Sequence, residues 1–354
     1  MQTRRTFLQS TGLGIAGVLS SKHAPAFIQD MGMIKIGQLG LGSHTFLGQF
    51  AHPPADFKGA VKCKPYAIWD DVPGVAEAML KNGFEKVIND PVRLVQESDA
   101  VHIEHADYRK VFELAQPALE AGKPVFINRP FAASIADAEE IVRLAQVHNA
   151  PLMSASSLEF QPEVGMMQKF TQEKGAVRIY EAYCPEMHFT WMFPHVINFA
   201  HAALGGGIDT AYFTGDYVMD LNKWIDEKKD FGAALSVLTY KPRGDQPPMI
   251  GMNHIGNYPG PFHINVYAKG GNQTFTVGDK LFYYMFVALH DFYANRIIPR
   301  PYEAILEQHR ALVATNVSRL TGHAVKLNSL GSDDALPYSP ETRRYLVRKT
   351  LEKK

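Results

Sequence analysis

The sequence predicts an N-terminal α/β domain with a parallel sheet, followed by a C-terminal α+β domain with an open, mainly antiparallel sheet. Three observations predict this architecture. The chain has 354 residues, which exceeds one typical hydrophobic core and favours two domains. From residue 33 to 153, short apolar runs alternate with helix-like stretches, the pattern of a parallel sheet covered on both faces. Beyond residue 157, the strand-like runs alternate apolar and polar residues, as antiparallel strands do.

The composition is that of an ordinary globular protein, with 46% apolar and 20% charged residues. Lys and Arg together number 36, as do Asp and Glu, so the formal charge is zero. Because neither a basic excess nor a nucleic-acid-binding motif occurs, we expect no nucleic-acid partner. Cys63 and Cys184 lack CxxC spacing, which favours buried small apolar residues over a disulfide or a metal site.

The first thirty residues have the features of an export signal. Residues 3–9, Thr-Arg-Arg-Thr-Phe-Leu-Gln, resemble the twin-arginine (Tat) pattern S/T-R-R-x-F-L-K, and a short apolar run and Ala24-Pro25-Ala26 follow. The resemblance implies transport of the folded protein to the periplasm or another extracytoplasmic compartment. The apolar run is too short to span a bilayer comfortably, so we expect no stable membrane insertion after cleavage. A chance basic N-terminus is the alternative.

A glycine turn organises the N-terminal half. An apolar run over 33–39 is followed by Gly40-Leu41-Gly42 and a helix-like stretch over 45–51. This order begins dinucleotide-binding folds, in which the first glycine permits the turn and the second lets the backbone approach a pyrophosphate. The amides that open the helix would face the phosphates. We therefore predict cofactor contacts at Gly40, Gly42, Ser43 and His44. Because Thr45 occupies the third small position, an ordinary turn is the alternative.

An acid pair ends the second predicted strand, residues 65–70. Asp70 and Asp71 stand where an acid accepts hydrogen bonds from the adenosine ribose of a dinucleotide. Two carboxylates would also repel a 2′-phosphate, so NAD is favoured over NADP as the cofactor. The alternative is that Asp70 caps a helix over 72–80.

The other elements follow in chain order. N-terminal strands are predicted over 86–90, 99–103, 124–127 and 151–153, with helices over 91–97, 108–121 and 135–148. Pro91 and Gly122 supply helix start and stop signals. C-terminal strands are predicted over 176–183, 210–214, 233–240, 249–254, 263–268 and 274–277. Helices are predicted over 163–173, 194–203, 281–294, 302–320 and, in the tail, 340–349.

Three stretches in this order resemble the Gfo/Idh/MocA oxidoreductase family, over roughly residues 33–327. The first is the glycine turn. The second is D-A-V-H-I-E-H-A-D at 99–107 with A-L-E-A-G-K-P-V-F-I-N-R-P at 118–130. The family has D-A-V-x-I-x-T-P-N and A-L-x-A-G-K-H-V-x-x-E-K-P there. The third is His195-Val-Ile-Asn198 before Leu204-Gly205-Gly206, where the family has H-x-x-D before L-G-G.

The resemblance implies a Rossmann domain that binds NAD(P), and a sugar, inositol or related polyol in the crevice against the C-terminal sheet. Family members use the lysine of E-K-P and an acid–histidine pair for proton transfer. Here Asn128-Arg129-Pro130 replaces E-K-P, and the family acids fall at Trp191 and Asn198. Arginine stays protonated and does not readily exchange a proton, although it can bind an oxygen bidentately.

We therefore predict that His195 is the catalytic acid–base group, that Arg129 is a catalytic clamp and that Asn128 contacts the cofactor. The alternatives are a histidine satisfied by hydrogen bonds in the domain junction and an arginine in a structural ion pair. Predicted substrate contacts are Glu181, His188, Trp191 and Asn198. No metal site is predicted; a divalent ion held by Glu181, His188 and His195 is the alternative.

The combined prediction is an exported NAD-dependent oxidoreductase that acts on a sugar or sugar derivative. Free NAD is scarce outside the cytoplasm, which favours a variant in which retained NAD oxidises the sugar transiently and a glycoside leaves by elimination. The alternatives are a non-catalytic carbohydrate- or nucleotide-binding protein and a metal-assisted sugar lyase.

The predicted segments are a signal peptide (1–30), an NAD-binding Rossmann domain (31–156), an α+β domain for substrate binding and oligomerisation (157–330) and a C-terminal tail (331–354). An exposed sheet face usually needs cover, so we expect a homo-oligomer that forms through the open sheet.

Overall fold

Two β-sheets organise the part of the chain that the structure, a computed structural model, describes. The described residues are 32–42, 46–185, 189–215, 233–244, 248–256, 260–338 and 340–352. The signal-like segment 1–30 and the predicted contacts Ser43, His44 and His188 lie outside these ranges. Met33–Lys354 form one compact unit.

The N-terminal sheet is parallel throughout, which confirms the α/β prediction. Its strands are β1 (Ile34–Leu39), β2 (Cys63–Trp69), β3 (Lys86–Val87), β4 (Ala100–Ile103), β5 (Val125–Ile127) and β6 (Leu152–Met153). They lie in the order β3-β2-β1-β4-β5-β6. The strands are apolar because both faces are covered, and all four residues of β4 are buried. Strand order reverses between β1 and β4, so their carboxyl ends border the crevice where ligands bind in such sheets.

The helices that connect these strands are α1 (Gly48–Ala51), α2 (Val75–Met79), α3 (Pro91–Glu97), α4 (Val111–Glu120) and α5 (Ile135–Val147). The prediction of a helix over 45–51 is wrong in length, because α1 has four residues. Glycine at position 48 disfavours helix, and Pro53 and Pro54 prevent its extension. The backbone amides predicted to face the phosphates, at Ser43 and His44, lie outside the described residues, so this contact stays a prediction.

The C-terminal sheet is mixed and mostly antiparallel, as predicted. Its strands are β7 (Val177–Cys184), β8 (Ile208–Gly215), β9 (Ala233–Tyr240), β10 (Ile250–Gly256), β11 (His263–Ala268), β12 (Gly271–Thr276) and β13 (Val325–Lys326). The order is β12-β11-β7-β10-β9-β8-β13. In the described sheet, only β7 and β10 pair in parallel, a pairing that the alternation of apolar residues does not reveal.

Helices cover one face of this sheet. The remaining helices are α6 (Pro162–Lys174), α7 (Phe189–Leu204), α8 (Leu281–Asn295), α9 (Tyr302–Thr321) and α10 (Pro340–Glu352). Helix α7 packs against β7 and β10, and α9 packs against β8. Phe189, Phe193 and Phe199 of α7 are buried in this core. The same helix carries Trp191, His195 and Asn198.

Two helices from the second half of the chain pack against the N-terminal half. In α8, the Phe286 ring lies 4.9 Å from that of Phe50 and 5.0 Å from that of Phe57, measured between ring centroids. The tail is docked as well: Ala335 forms a β-bridge with Ser134, and α10 packs against α2. None of the described helices combines the length and the apolar character that crossing a bilayer requires.

Candidate active site at the carboxyl ends of the parallel strands

A cleft lies where β1, β4 and β5 end. Its lining includes Gly42 after β1, Glu104 after β4, Asn128 and Arg129 after β5, and Trp191 from α7. The carboxyl ends of neighbouring parallel strands meet at one edge of the sheet, which brings these loops together. Four predicted site residues, Gly42, Asn128, Arg129 and Trp191, therefore share one cleft.

The glycine turn is pressed against the loop after β4. Gly40 has φ +85°, and a Cβ there would lie 2.5 Å from Cδ2 of His105. A Cβ on Gly42 would lie 2.1 Å from Oε2 and 2.6 Å from the carbonyl oxygen of Glu104. Only glycine fits at either position. The close approach of residues 104 and 105 therefore requires glycine at both positions, whether or not a cofactor binds there.

Asp70 is buried and its carboxylate is fully hydrogen-bonded. Its Oδ2 accepts a hydrogen bond from the Leu41 amide at 2.9 Å, and its Oδ1 accepts one from the Val72 amide at 2.9 Å. The Arg343 guanidinium, from α10, adds an ion pair at 2.5 Å. The following helix begins at Val75 with Gly74 as its N-cap and has no side-chain cap, so the alternative that Asp70 caps a helix over 72–80 is wrong. For this carboxylate to accept hydrogen bonds from the hydroxyl groups of a ribose, Arg343 would have to move.

Asp71 belongs to the same charge cluster. It pairs with Arg343, accepts a hydrogen bond from Lys110 at 2.5 Å and lies 3.3 Å from Nε2 of His105. The hydrogen bond from His105, followed by that from Lys110, holds the pKa of Asp71 well below its usual range. Arg343 and Lys110 neutralise the two acids, so charge repulsion alone does not decide between NAD and NADP.

Asp70, Asp71 and His105 come close enough to share a metal ion, within 4.8 Å of one another. Arg343 and Lys110 already compensate the negative charge of this group, and we assign no metal to it. The alternative metal group of Glu181, His188 and His195 includes His188, which lies outside the described residues, so this alternative stays untested.

Arg129 and Asn128 form one polar unit at the end of β5. The Arg129 amide and its Nη1 donate hydrogen bonds to Oδ1 of Asn128, at 2.9 and 3.1 Å. Arg129 is half-buried beside Trp191 in the cleft lining. The guanidinium is thus oriented by its neighbour before any ligand binds.

His195 and Asn198 lie in a buried polar network next to the cleft. Nδ1 of His195 is 2.6 Å from Oγ of Ser156. Nδ2 of Asn198 donates a hydrogen bond to Oε1 of Glu159 at 2.9 Å, and Glu159 pairs with the buried Arg300. His195 is not part of the cleft lining. This arrangement corresponds to the alternative of a histidine satisfied in the junction, and a catalytic role for His195 stays a prediction.

Glu181 lies away from the cleft, on β7. Its Oε2 accepts hydrogen bonds from Asn265 and Tyr267 of the neighbouring strand β11, both at 3.3 Å. It is not part of the cleft lining. The predicted substrate contact by Glu181 is therefore not brought together with Arg129 and Trp191.

Glu104 was not predicted as a site residue from the sequence. This carboxylate is buried in the cleft wall, and Oε1 lies 3.0 Å from Nε2 of His102. Nδ1 of His102 lies 2.8 Å from the Tyr293 hydroxyl. A signal was present, because His102 and Glu104 are two residues apart at the end of an otherwise apolar strand. Buried ionisable groups at such a strand end are candidates for function.

Comparison with known proteins identifies the N-terminal domain. Residues 34–156 match the model of GFO_IDH_MocA, the oxidoreductase family with an NAD-binding Rossmann fold. Residues 34–156 are therefore similar to the NAD-binding Rossmann domain of this oxidoreductase family, and the predicted resemblance is confirmed over that segment. No curated protein matches the sequence.

Solved structures share the fold of most of the chain. A scyllo-inositol dehydrogenase from Lactobacillus casei, with bound NAD(H) and scyllo-inositol, is 17% identical with a TM-score of 0.67, covering 84% of this chain and 100% of that one. A myo-inositol dehydrogenase from the same organism, with NAD(H) and myo-inositol, is 16% identical with a TM-score of 0.67, covering 84% and 98%. A probable dehydrogenase from Thermotoga maritima is 17% identical with a TM-score of 0.67, covering 84% and 100%.

The cleft fits the cofactor of this family. The left-handed turn at Gly40 and the missing side chain at Gly42 leave the backbone of the turn as one wall. Asn128 and Arg129 offer polar groups opposite, and Oε2 of Glu104 is a buried acceptor that has no hydrogen-bond partner among the described residues. Gly40, Gly42, Asn128 and Arg129 would hold the dinucleotide, while Asp70 is engaged by Arg343.

Arg343→Ala should lower the free energy of unfolding by about 3–5 kcal/mol, because it leaves the buried Asp70 carboxylate without its ion-pair partner. Urea unfolding of the full chain measures this loss. Arg344→Ala is the matched control: its side chain is 70% exposed and pairs with Glu341 on the surface, so a change below about 1 kcal/mol is expected. Equal effects of the two variants would contradict the role given to Arg343.

Proposed function

We propose that this chain is an NAD-dependent dehydrogenase that oxidises a hydroxyl group of a sugar or polyol. The observation that carries the proposal is the cleft at the carboxyl ends of β1, β4 and β5, which joins the glycine turn to Asn128, Arg129 and Trp191. It lies in an NAD-binding oxidoreductase domain. Structures of the same fold hold NAD(H) together with an inositol, which supports the polyol class.

Bound NAD+ supplies the hydride acceptor for such an oxidation. Arg129 is suited to bind and orient the substrate oxygen, because Asn128 fixes its guanidinium and its charge persists at any ordinary pH. For the same reason Arg129 is a poor proton acceptor. The indole of Trp191 offers an apolar surface for the carbon face of a sugar.

Purified protein should bind NAD+ and form NADH with at least one member of a panel of inositols and hexoses.

Arg129→Lys should raise KM for that polyol about 10- to 100-fold with a smaller change in kcat, because lysine cannot make the bidentate contact. Steady-state measurement of NADH formation separates the two constants. Arg143→Lys, the same exchange at a surface pair with Glu140, is the control.

The opposite result, a gain in kcat for Arg129→Lys, would show that this position needs a proton acceptor. It would contradict the proposal that Arg129 binds and orients the substrate oxygen. Cleavage of a glycoside without accumulation of NADH would identify the transient-oxidation variant. Binding of polyol and NAD+ with neither reaction would identify a non-catalytic protein, and loss of activity in chelator would identify a metal-assisted reaction.

We also propose that the protein is exported by the twin-arginine pathway. The support is the Arg4-Arg5 pair followed by a short apolar run and Ala24-Pro25-Ala26. A reporter fused to residues 1–30 should reach the periplasm of a bacterium that has this pathway. Replacement of both arginines by lysine should abolish export, which fractionation of the cells would measure. Unchanged export of the lysine variant would contradict the proposal.

The open face of the C-terminal sheet is proposed as the surface of a homo-oligomer. Tyr183 of β7 stacks between His254 and His263, with ring centroids 4.4 Å apart on both sides, and Ile250 and Tyr267 are exposed near this stack. Such an apolar and aromatic sheet face favours a partner surface of the same kind.

Sedimentation analysis should find a dimer or a larger assembly that dissociates in Ile250→Lys, because the charge would be buried without a partner. Ile298→Lys is a matched control, since Ile250 is 41% and Ile298 is 40% exposed, and Ile298 lies outside the sheet. A wild-type monomer, or equal behaviour of the two variants, would contradict this interface.

A further inference from the structure

Three buried polar residues form a chain of hydrogen bonds that ends in the cleft. The Tyr293 hydroxyl, from α8, lies 2.8 Å from Nδ1 of His102, and Nε2 of His102 lies 3.0 Å from Oε1 of Glu104. The side chains of His102 and Glu104 are completely buried, and Tyr293 is 2% exposed. The three polar side chains thus connect the end of β4 with α8.

The donor and the acceptor of each hydrogen bond between Tyr293, His102 and Glu104 can be assigned. Burial raises the pKa of Tyr293 well above its ordinary value, so the phenol keeps its proton. Its hydroxyl therefore donates a hydrogen bond to Nδ1 of His102. A neutral imidazole that accepts at Nδ1 carries its proton on Nε2, and this N–H is the donor to Oε1 of Glu104. Tyr293 and His102 therefore orient the carboxylate and stabilise one of its two oxygens.

The second oxygen of Glu104 has no such support. Oε2 is buried and lacks a hydrogen-bond partner among the described residues. It lies beside Gly42, where a Cβ would come within 2.1 Å of it. A buried acceptor without a donor is costly and rare in native proteins. Because Glu104 lines the cleft with Arg129, a ligand in the cleft can supply the missing donor.

We propose that Glu104 is the catalytic proton acceptor of this site and that Oε2 binds the hydroxyl group that is oxidised. The inference rests on the proposed dehydrogenase function and adds the residue that takes the proton. Tyr293 and His102 are positioning residues, since they act on the substrate through Glu104.

The proton and the hydride leave the substrate carbinol separately. Bound NAD+ would accept the hydride from the C–H bond that breaks, and Oε2 of Glu104 would accept the proton from the O–H bond that breaks. The substrate becomes a ketone or an aldehyde, and Glu104 becomes a carboxylic acid that later returns the proton to solvent. No further oxidant or reductant is needed.

Other described residues are less suited to this role. Arg129 is permanently protonated. His195 is bonded to Ser156 in the adjacent network and does not line the cleft, and the Asp70 carboxylate is saturated by Leu41, Val72 and Arg343. Glu104 is the one carboxylate in the cleft lining within the described part of the chain.

Glu104→Gln keeps the size of the side chain but cannot accept a proton, and it tests the proposal in the full chain. We expect kcat for the polyol that the wild type oxidises to fall about 100- to 10,000-fold, the range for loss of a general base. The Kd for NAD+ should change less than about threefold. Titration of myo-inositol into NADH-loaded protein adds a readout without turnover, and its affinity should fall about tenfold with the charged acceptor.

Glu140→Gln, on the surface of α5, is the control and should match the wild type in all three measurements. A Glu104→Gln protein that retains kcat within about fivefold overturns the proposal and leaves the dehydrogenase function standing. A variant that loses NAD+ affinity but keeps kcat also overturns it, because Glu104 would then bind the cofactor ribose. A wild type that binds no NAD+ or oxidises no polyol removes the proposed function, and the proton step with it.

Discussion

The close contact between the glycine turn and the end of β4 is the constraint on which the candidate site depends. Gly40 and Gly42 lie directly against His105 and Glu104, so side chains at these two positions would force the loops apart. Backbone hydrogen bonds join the same loops, from Glu104 to Leu39 and from Ala106 to Leu41. The contact sets the depth of the cleft and holds the Glu104 carboxylate inside it.

The site also depends on the C-terminal half of the chain. Trp191 reaches the cleft from α7, Tyr293 completes the polar chain from α8, and Arg343 closes the acid pair from α10. These residues are separated by tens to hundreds of positions from the strand ends that they meet. The N-terminal domain therefore supplies the nucleotide-binding frame, and later helices determine which of its polar groups remain available to a ligand.

Much of the fold could be predicted because its cause is local. Alternating strand and helix patterns identified the parallel sheet, and period-two runs such as Ala233–Tyr240 identified the antiparallel strands. The meeting of Arg129 with Gly42 also has a simple cause, because the carboxyl ends of neighbouring parallel strands share one edge of a sheet. The engagement of Asp70 by Arg343 could not be foreseen, because it depends on how the tail docks about 270 residues later.

Glu104 illustrates a second limit. Its type and position were visible, but whether an acid after a buried strand points to solvent or into a cleft depends on the loop that packs over it. His195 shows the converse, since a matched motif position led to a histidine held by Ser156 in a buried network. Sequence therefore predicted the elements of both sheets, whereas the docking of the later helices and the direction of individual polar groups required the packed structure.

Hydrogen exchange of backbone amides with and without NAD+ tests the central claim most directly, because it locates the cofactor without requiring a substrate. We predict slower exchange in peptides that cover residues 34–42, 100–110 and 125–131, the three segments that meet at the cleft. Protection confined to the open face of the C-terminal sheet, or no protection at saturating NAD+, would contradict it.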